Sequence, residues 1–546
     1  MRNNSAMNSI LAWLDRNFFE LGRQMRLSYL PPLMVYVAAG VSGLTGIVGV
    51  FYVKERLGLS AEFLAALGFW GGLPWALKMP LGHLVDLIWR WKSLLVYLGA
   101  SLIAASLLIM VGLLGNTDAM AAMMPVETWY VLAALLAPVG YVVQDVVADA
   151  MTVEAVPHVD EDGRPVSPEQ LRLMHTTMQT LGRVAIIGGS LLVAAVNVFL
   201  LDGVSKLPEA LRAAAYRGIY ELALVIPLVS VAGVALATWL RRREHARLAG
   251  LGHARQAIMD MLDRAVERPP VNWWILGGGL AFAAVSLTLG LGKVAYAQEI
   301  VFAVSMSIVL FLMAQLTREL DPEARRVLVG TAIVIFVFRA VPGPGAGSTW
   351  WLIDELKFDQ QFLALLSLIA SVLTLAGMFV FRRFMAERSI SYIVGFLTVA
   401  GTLLTLPTLA MYHGFHHWTA AHTGGVVDAR FIALVDTALE SPLGQIAMIP
   451  MLAWIANSAP ARLKATFFAV LASFTNLALS AAQLGTQYLN KLFIVTREVK
   501  NANTGLVSTP ADYGELGILL LTATIIGFAL PMLAIWLIRM FRLRSA

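Results

Sequence analysis

The sequence predicts an all-α protein that crosses a membrane about fourteen times. Three observations predict this. The first is composition: of 546 residues, 58% are hydrophobic and 14% charged, with a mean hydropathy of +0.72. A soluble chain carries roughly 25% charged residues, so this one cannot cover a water-facing surface. The second is run length. Apolar stretches such as 94–114 and 516–535 are continuous, whereas a membrane barrel alternates polar and apolar positions along short strands. Long apolar runs in hydrocarbon are helices. The third is the distribution of basic residues. With both termini inside, about 26 Lys and Arg fall on the cytoplasmic side and about 11 outside, leaving Lys78, Arg183 and Arg339 within spans.

The elements follow in order. Residues 1–28 form an amphipathic cytoplasmic segment, with Arg16, Arg23 and Arg26 among Leu11, Trp13, Leu14 and Phe18. No short apolar core with a small-residue cleavage site follows, so a cleaved signal is not expected. Spans begin near Leu30, Ala61, Ser93, Thr128, Arg172 and Ala215, giving a six-helix unit over 29–240. Gly40, Gly43, Gly46 and Gly49 step along the first span and permit close helix approach. A basic cytoplasmic linker, 241–270, opens with Arg241-Arg242-Arg243. Its Leu248, Leu251, Ile258, Leu262 and Val266 recur at helical spacing, as in a helix lying on the membrane, until Pro269-Pro270. Spans from Val271 and Tyr296 form a hairpin over 271–316. Spans from Val327, Gln361, Ile390, Phe431, Lys464 and Gly514 complete a second six over 327–540. Pro342-Gly343-Pro344-Gly345 interrupts the first of these early, and is expected to break it at its outer end.

Six spans, a basic linker and a second six resemble the plan of the major facilitator superfamily, with the 271–316 hairpin as an insertion. Three segments narrow the resemblance. The second span closes on Leu-Pro-Trp-Ala-Leu-Lys-Met-Pro-Leu-Gly-His-Leu-Val-Asp (73–86), and the fourth on Gln-Asp-Val-Val-Ala-Asp-Ala-Met-Thr-Val-Glu (144–154). The third segment runs from Asp436 and Glu440 through Met448-Ile449-Pro450-Met451 to Ala465-Thr466-Phe467-Phe468 and Thr475-Asn476-Leu477. This ordered set resembles the folate–biopterin transporter family. The first half alone is equally similar to the muropeptide permeases; the Met-Pro and Thr-Asn-Leu segments favour the pterin family. The superfamily's loop after the second span is matched by Gly82, Asp86, Arg90 and Lys92 and departed from at Leu87 and Trp89. These residues, with Glu154, Asp436 and Glu440, are expected to gate or brace the bundles.

Ionisable groups in hydrocarbon are costly and face a cavity or a partner. Lys78, beside Pro74 and Pro80, either grips a substrate carboxylate or pairs with an acid of the fourth span. Asp145 and Asp149 lie i,i+4 on one face. Two carboxylates so placed repel, and one of them holding a proton would suit proton coupling. Arg183 and Arg339 are candidates for bidentate carboxylate binding; Arg339 could instead pair with Asp354 or Glu355. Trp75, Tyr141, Trp70 and Trp454 could stack a ring. Gln144, Asn476, Gln483 and Gln487 could bond a ligand or a neighbouring helix.

Other signals exclude functions. Absence of cysteine removes disulfides and thiolate metal sites. The histidines at 413, 416, 417 and 422 lack an accompanying acid motif, and Gly343–Gly347 lacks the Lys-Ser/Thr of a phosphate loop. No cofactor, metal, nucleic acid or catalytic triad is expected. The expected function is a secondary transporter of the bacterial-type inner membrane, coupled to protons, moving a folate- or pterin-like organic anion. The alternatives are a cell-wall muropeptide importer and a non-transporting assembly or sensing factor. Charges open to a wet cavity would mark a carrier; charges all locked in pairs would mark the factor.

Overall fold

The computed structural model describes residues 20–157, 166–258, 271–292, 294–318, 320–444, 446, 448, 450–451, 464–500 and 507–545. Most of the N-terminal amphipathic segment, residues 259–270 of the linker, and Trp454 lie outside the described residues.

The first half contains α1 (Leu30–Val41), α2 (Gly46–Arg56), α3 (Ala61–Ala76), α4 (Lys78–Leu87), α5 (Lys92–Gly115), α6 (Val126–Ala155), α7 (Pro168–Leu200), α8 (Glu209–Ala223) and α9 (Val225–Gly250). A hairpin follows, α10 (Trp273–Leu291) and α11 (Ala297–Thr317). The second half contains α12 (Pro322–Arg339), α13 (Ala346–Asp354), α14 (Gln360–Val380), α15 (Ile390–Tyr412), α16 (Phe415–His422), α17 (Ala429–Glu440), α18 (Lys464–Leu492) and α19 (Leu516–Met540). A small antiparallel ribbon, β1 (Val499–Lys500) with β2 (Val507–Thr509), lies between α18 and α19.

Among the described residues, ten helical segments are long and apolar enough to cross a membrane unaided. The remaining expected spans are α3–α4, α12–α13, the span opened by α17, and α18. The first two are broken helices. The break at Leu77, between α3 and α4, follows from Pro80, whose ring removes the N–H that would bond the Ala76 carbonyl. The break between α12 and α13 spans 340–345, where the sequence placed the Pro-Gly-Pro-Gly interruption, and the chain resumes as the nine-residue α13. Helix α18 supplies the missing partners: Thr486 Oγ1 accepts from Gly343 N at 2.9 Å and Asn490 Nδ2 donates to Pro344 O at 3.1 Å.

Helices of each half pack chiefly on one another, and the halves meet along two seams, α3 against α18 and α7 against α14. Within the first half, α1 and α7 touch backbone to backbone. A Cβ on Gly40 would lie 2.2 Å from Ile186 O, and one on Gly189 would lie 2.9 Å from Gly40 Cα. Gly43 and Gly46 make no such close approach, so only part of the glycine series serves packing. The hairpin lies over the α3–α18 seam. Asn272 N donates to His83 Nε2 (2.9 Å), Gln298 Nε2 donates to Ala66 O (3.1 Å), and Tyr488 OH donates to Glu299.

The two ends of the molecule differ. One, the terminal end, carries residues 20–29 and 541–545. At the opposite, far end, polar contacts join the halves. Arg497, 3% exposed, donates to Val53 O (3.0 Å), Lys54 O (2.9 Å) and Leu59 O (2.7 Å), while its guanidinium lies 4.4 Å from the Trp350 ring centroid. Lys54 pairs with Asp354, which also accepts from Tyr513 OH at 2.5 Å. Gln360 Nε2 donates to Tyr216 OH at 2.6 Å, and Ala364 of α14 is buried in the core of the first half. The far end is closed.

Candidate functional site

The break at Leu77 places Lys78 at the first position of α4, with α6 alongside. Lys78 Nζ lies 2.5 Å from Asp145 Oδ2 and 2.8 Å from Asp149 Oδ2. The i,i+4 spacing puts both carboxylates on one face, as expected, but the ammonium sits between them and bridges both. Tyr36 OH of α1 donates to Asp149 Oδ1 at 2.6 Å. Arg183 of α7 stands within Coulombic reach of Asp145 and Tyr36. Four spans, α1, α3–α4, α6 and α7, thus converge on one charged cluster. Nine or ten residues separate Lys78 and Asp145 from the terminal ends of their spans, about 15 Å of helix.

The cluster is graded in exposure. The Asp145 and Lys78 side chains are 13% and 21% exposed, Asp149 45%, and Arg183 is exposed. Lys78 and Asp145 form its sheltered floor; Asp149 and Arg183 face accessible space. Two cations and two carboxylates balance in formal charge. A buried pair so arranged offsets desolvation through short charge-assisted contacts.

Other expected residues are placed elsewhere. Gln144 is not a ligand donor: it is 2% exposed, donates to Val96 O (3.2 Å) and accepts from Ser230 (3.0 Å), bracing α6 against α5 and α9. Its position, one residue before Asp145, turns it about 100° around the helix from that acid. Tyr141 packs against the far-end core of the first half. Trp75 lies partly exposed at the α3–α18 seam, where its carbonyl accepts from Asn476 Nδ2 at 3.2 Å. Trp70 packs on Gly290 of the hairpin. Glu154 pairs with Lys92 (2.5 Å), joining the ends of α6 and α5. Asp86 and Gly82 lie at the terminal end of α4, part-buried, and nothing approaches a Cβ built on Gly82. The Arg90 side chain lies outside the described residues. Asp436 and Glu440 share α17, Asp436 with a buried Oδ1 lacking a partner and Glu440 exposed.

Arg339 requires a correction. It does not pair with Asp354 or Glu355, because α13 carries those acids on to the far end, where Asp354 is held by Lys54 and Tyr513. Arg339 instead ends α12 at the break. Its Nη1 points at Met448 Sδ (3.4 Å) and Met451 Sδ (3.9 Å), and its Nε is buried without an acceptor.

Two residues of consequence were not singled out from sequence. Tyr36 reads as one more aromatic residue in an apolar run. Arg497 sits in a polar loop where a basic residue carries no signal.

A membrane helix bundle with a charged cluster at the centre of one half is the setting in which comparison with known proteins becomes informative. The sequence profile of the BT1 family matches residues 39–544. The chain belongs to the BT1 family. A curated member, the folate-biopterin transporter of Synechocystis sp., is 24% identical over 464 residues, covering 84% of this chain and 74% of that one. Among solved structures, a POT family transporter in complex with a thioalcohol-conjugated peptide superposes with TM-score 0.55 at 13% identity, over 94% of this chain and 96% of that one. The nucleoside transporter NupG superposes with TM-score 0.53 at 11% identity, over 94% and 100%. These likenesses establish the fold. This BT1 family member is a multi-pass membrane transporter of the major facilitator fold, with two six-helix bundles and an inserted hairpin.

Proposed function

We propose that this BT1 protein is a proton-coupled secondary transporter of a folate- or pterin-like organic anion. The observation that carries the reading is the Tyr36–Lys78–Asp145–Asp149 cluster with Arg183 exposed beside it. Charge accounting gives the mechanism. Two cations balance two carboxylates in the empty site. A substrate carboxylate taken by Arg183, whose planar fork suits it, leaves one negative charge in excess. A proton on one aspartate restores neutrality, so anion and proton enter together. Asp149, the more exposed carboxyl, is the receiving group, and Tyr36 holds its orientation. The relative's name, a folate-biopterin transporter, supplies the substrate class. Arg183 exposed beside the cluster and Arg339 without a carboxylate among the described residues favour a carrier over an assembly factor.

Alternating access follows from the two seams, about which the halves rock. We assign the far end to the outside and the terminal end to the cytoplasm of a bacterial-type inner membrane, on the basic-residue bias. The boundaries 29–240, 271–316 and 327–540 then describe the moving halves and the inserted hairpin.

The test is uptake of labelled folate into liposomes with and without an inward proton gradient. Uptake should rise with the gradient and fall at least tenfold in Asp149→Asn and Arg183→Ala, each still folded. Gradient-independent uptake would remove the coupling; no folate uptake would remove the substrate class.

A further inference from the structure

Beside the break in the α12–α13 span lies a second site, distinct from the Lys78 cluster. A cavity of about 280 Å³ opens between α12, α15, α18 and the span begun by α17, lined by Ile335, Phe338, Val394, Met448, Met451 and Leu479 with Arg339 in its wall. The lining is apolar apart from that guanidinium. Arg339 has thioether sulfurs for neighbours, which are weak acceptors, and its buried Nε has no acceptor among the described residues. Among the described residues no carboxylate pairs with it. An arginine stays charged, and a buried charge without a partner is costly. The arrangement is complete only with an anion present.

The walls say what the anion is attached to. Methionine sulfur and a phenylalanine ring favour contact with an aromatic ring. The volume is at the small end for ligand pockets, enough for one ring and not for a large ligand. A planar carboxylate matches the guanidinium fork. We propose that this cavity binds an aromatic carboxylate, either as a small molecule or as the arylcarboxylate end of a larger anion, with the carboxylate on Arg339 and the ring between Phe338, Met448 and Met451. The proposal deepens the transport reading, in which the substrate's other pole would meet Arg183 across the central space, and its binding arm stands without it.

The experiment titrates the purified full chain with benzoate, followed by tryptophan fluorescence and thermal shift, against benzamide as a neutral isostere and cyclohexanecarboxylate as a non-aromatic acid. Benzoate should bind at least tenfold tighter than benzamide and severalfold tighter than cyclohexanecarboxylate. Arg339→Gln should abolish the preference for benzoate over benzamide, and Arg183→Gln should leave it intact. If Arg339→Gln fails to fold, Val394→Phe, which fills the cavity and leaves the arginine in place, should remove benzoate binding. Equal affinity for benzoate and benzamide, or benzoate binding that survives Arg339→Gln or Val394→Phe, overturns the proposal. Benzoate binding that depends on Arg339, in a chain that takes up no folate, would uphold the cavity while removing the substrate class above. Folate uptake with no Arg339-dependent benzoate binding would do the reverse.

Discussion

Lys78 is one ammonium holding two carboxylates, and that sharing sets how its removal is felt. Lys78→Ala leaves the sheltered carboxylate of Asp145 unpaired, with the more exposed Asp149 one turn away. Breaking a buried pair by removing one partner costs about 3–5 kcal/mol, because the remaining charge is uncompensated. Adding Asp145→Asn to Lys78→Ala should recover a large part of that loss. A denaturation midpoint in detergent reads both; a double variant less stable than Lys78→Ala would show that the ammonium does not serve chiefly to offset Asp145. The three ionisable members of this arrangement were legible in the sequence, since charge inside an apolar run has few explanations. Sequence leaves Gln144 open between a ligand and a neighbouring helix for a geometrical reason: it gives the neighbourhood to Asp145 but not the helix face, and the face Gln144 occupies is turned to α5 and α9. Tyr36 was passed over because its hydroxyl matters only through a residue 113 positions away.

At the scale of elements, hydropathy found ten uninterrupted apolar spans and undervalued those that are broken or polar. Helix α3–α4 is broken at Leu77, α12–α13 at 340–345, and α18 carries Asn476, Ser480, Gln483, Thr486 and Asn490 along the seam and the break. Interruption and polarity depress the signal in α3–α4, α12–α13 and α18, whereas α1, α6 and α7, which also build the cluster, keep it. The α12–α13 break gives a paired prediction. Gly345 adopts φ +78, and a Cβ there would sit 2.5 Å from Asn490 Nδ2. Gly343 meets nothing within 4 Å. Gly345→Ala should therefore lose about 1–3 kcal/mol, whereas Gly343→Ala should stay within about 0.5 kcal/mol of the parent, both read as denaturation midpoints. Similar losses at both positions would mean that the break is not held by its contact with Asn490. The linker and the Pro-Gly-Pro-Gly were legible as boundaries. What could not be read was that the chain resumes as a second helix held by α18, because those partners lie more than 140 residues away.

At the scale of the whole molecule, the two halves are tied together at the far end, where Arg497 bonds three carbonyls of the first half and Lys54 pairs with Asp354. Burial lowers the Arg497 guanidinium to about 10, with Tyr513 and Asp354 opposing that shift, so it remains charged at pH 7 and its three carbonyl bonds stay charge-assisted. Lysine cannot serve three divergent carbonyls with one ammonium. In a chain without native cysteine, a cysteine introduced at Leu57, 1% exposed in the closed state, should react severalfold faster with a thiol reagent when Arg497→Lys is added; an unchanged rate would remove Arg497 as the latch. The seam itself permits a more direct test. A Cβ built on Gly72 of α3 lies 3.4 Å from Ser480 Oγ of α18, so side chains at these two positions meet across the seam, as a disulfide requires. Gly72→Cys with Ser480→Cys should oxidise readily, since the closed far end already holds the seam together. If the halves must part along α3 and α18 for the site to face the other side, the crosslinked protein cannot complete a cycle, and reduction must restore transport to the level of the uncrosslinked variant. Benzoate should still bind while the crosslink is in place, because the Arg339 cavity lies within one half and does not require the seam to open. Transport that continues with the disulfide fully formed would mean that the halves pivot about this seam without separating there, and would transfer the opening to α7 and α14.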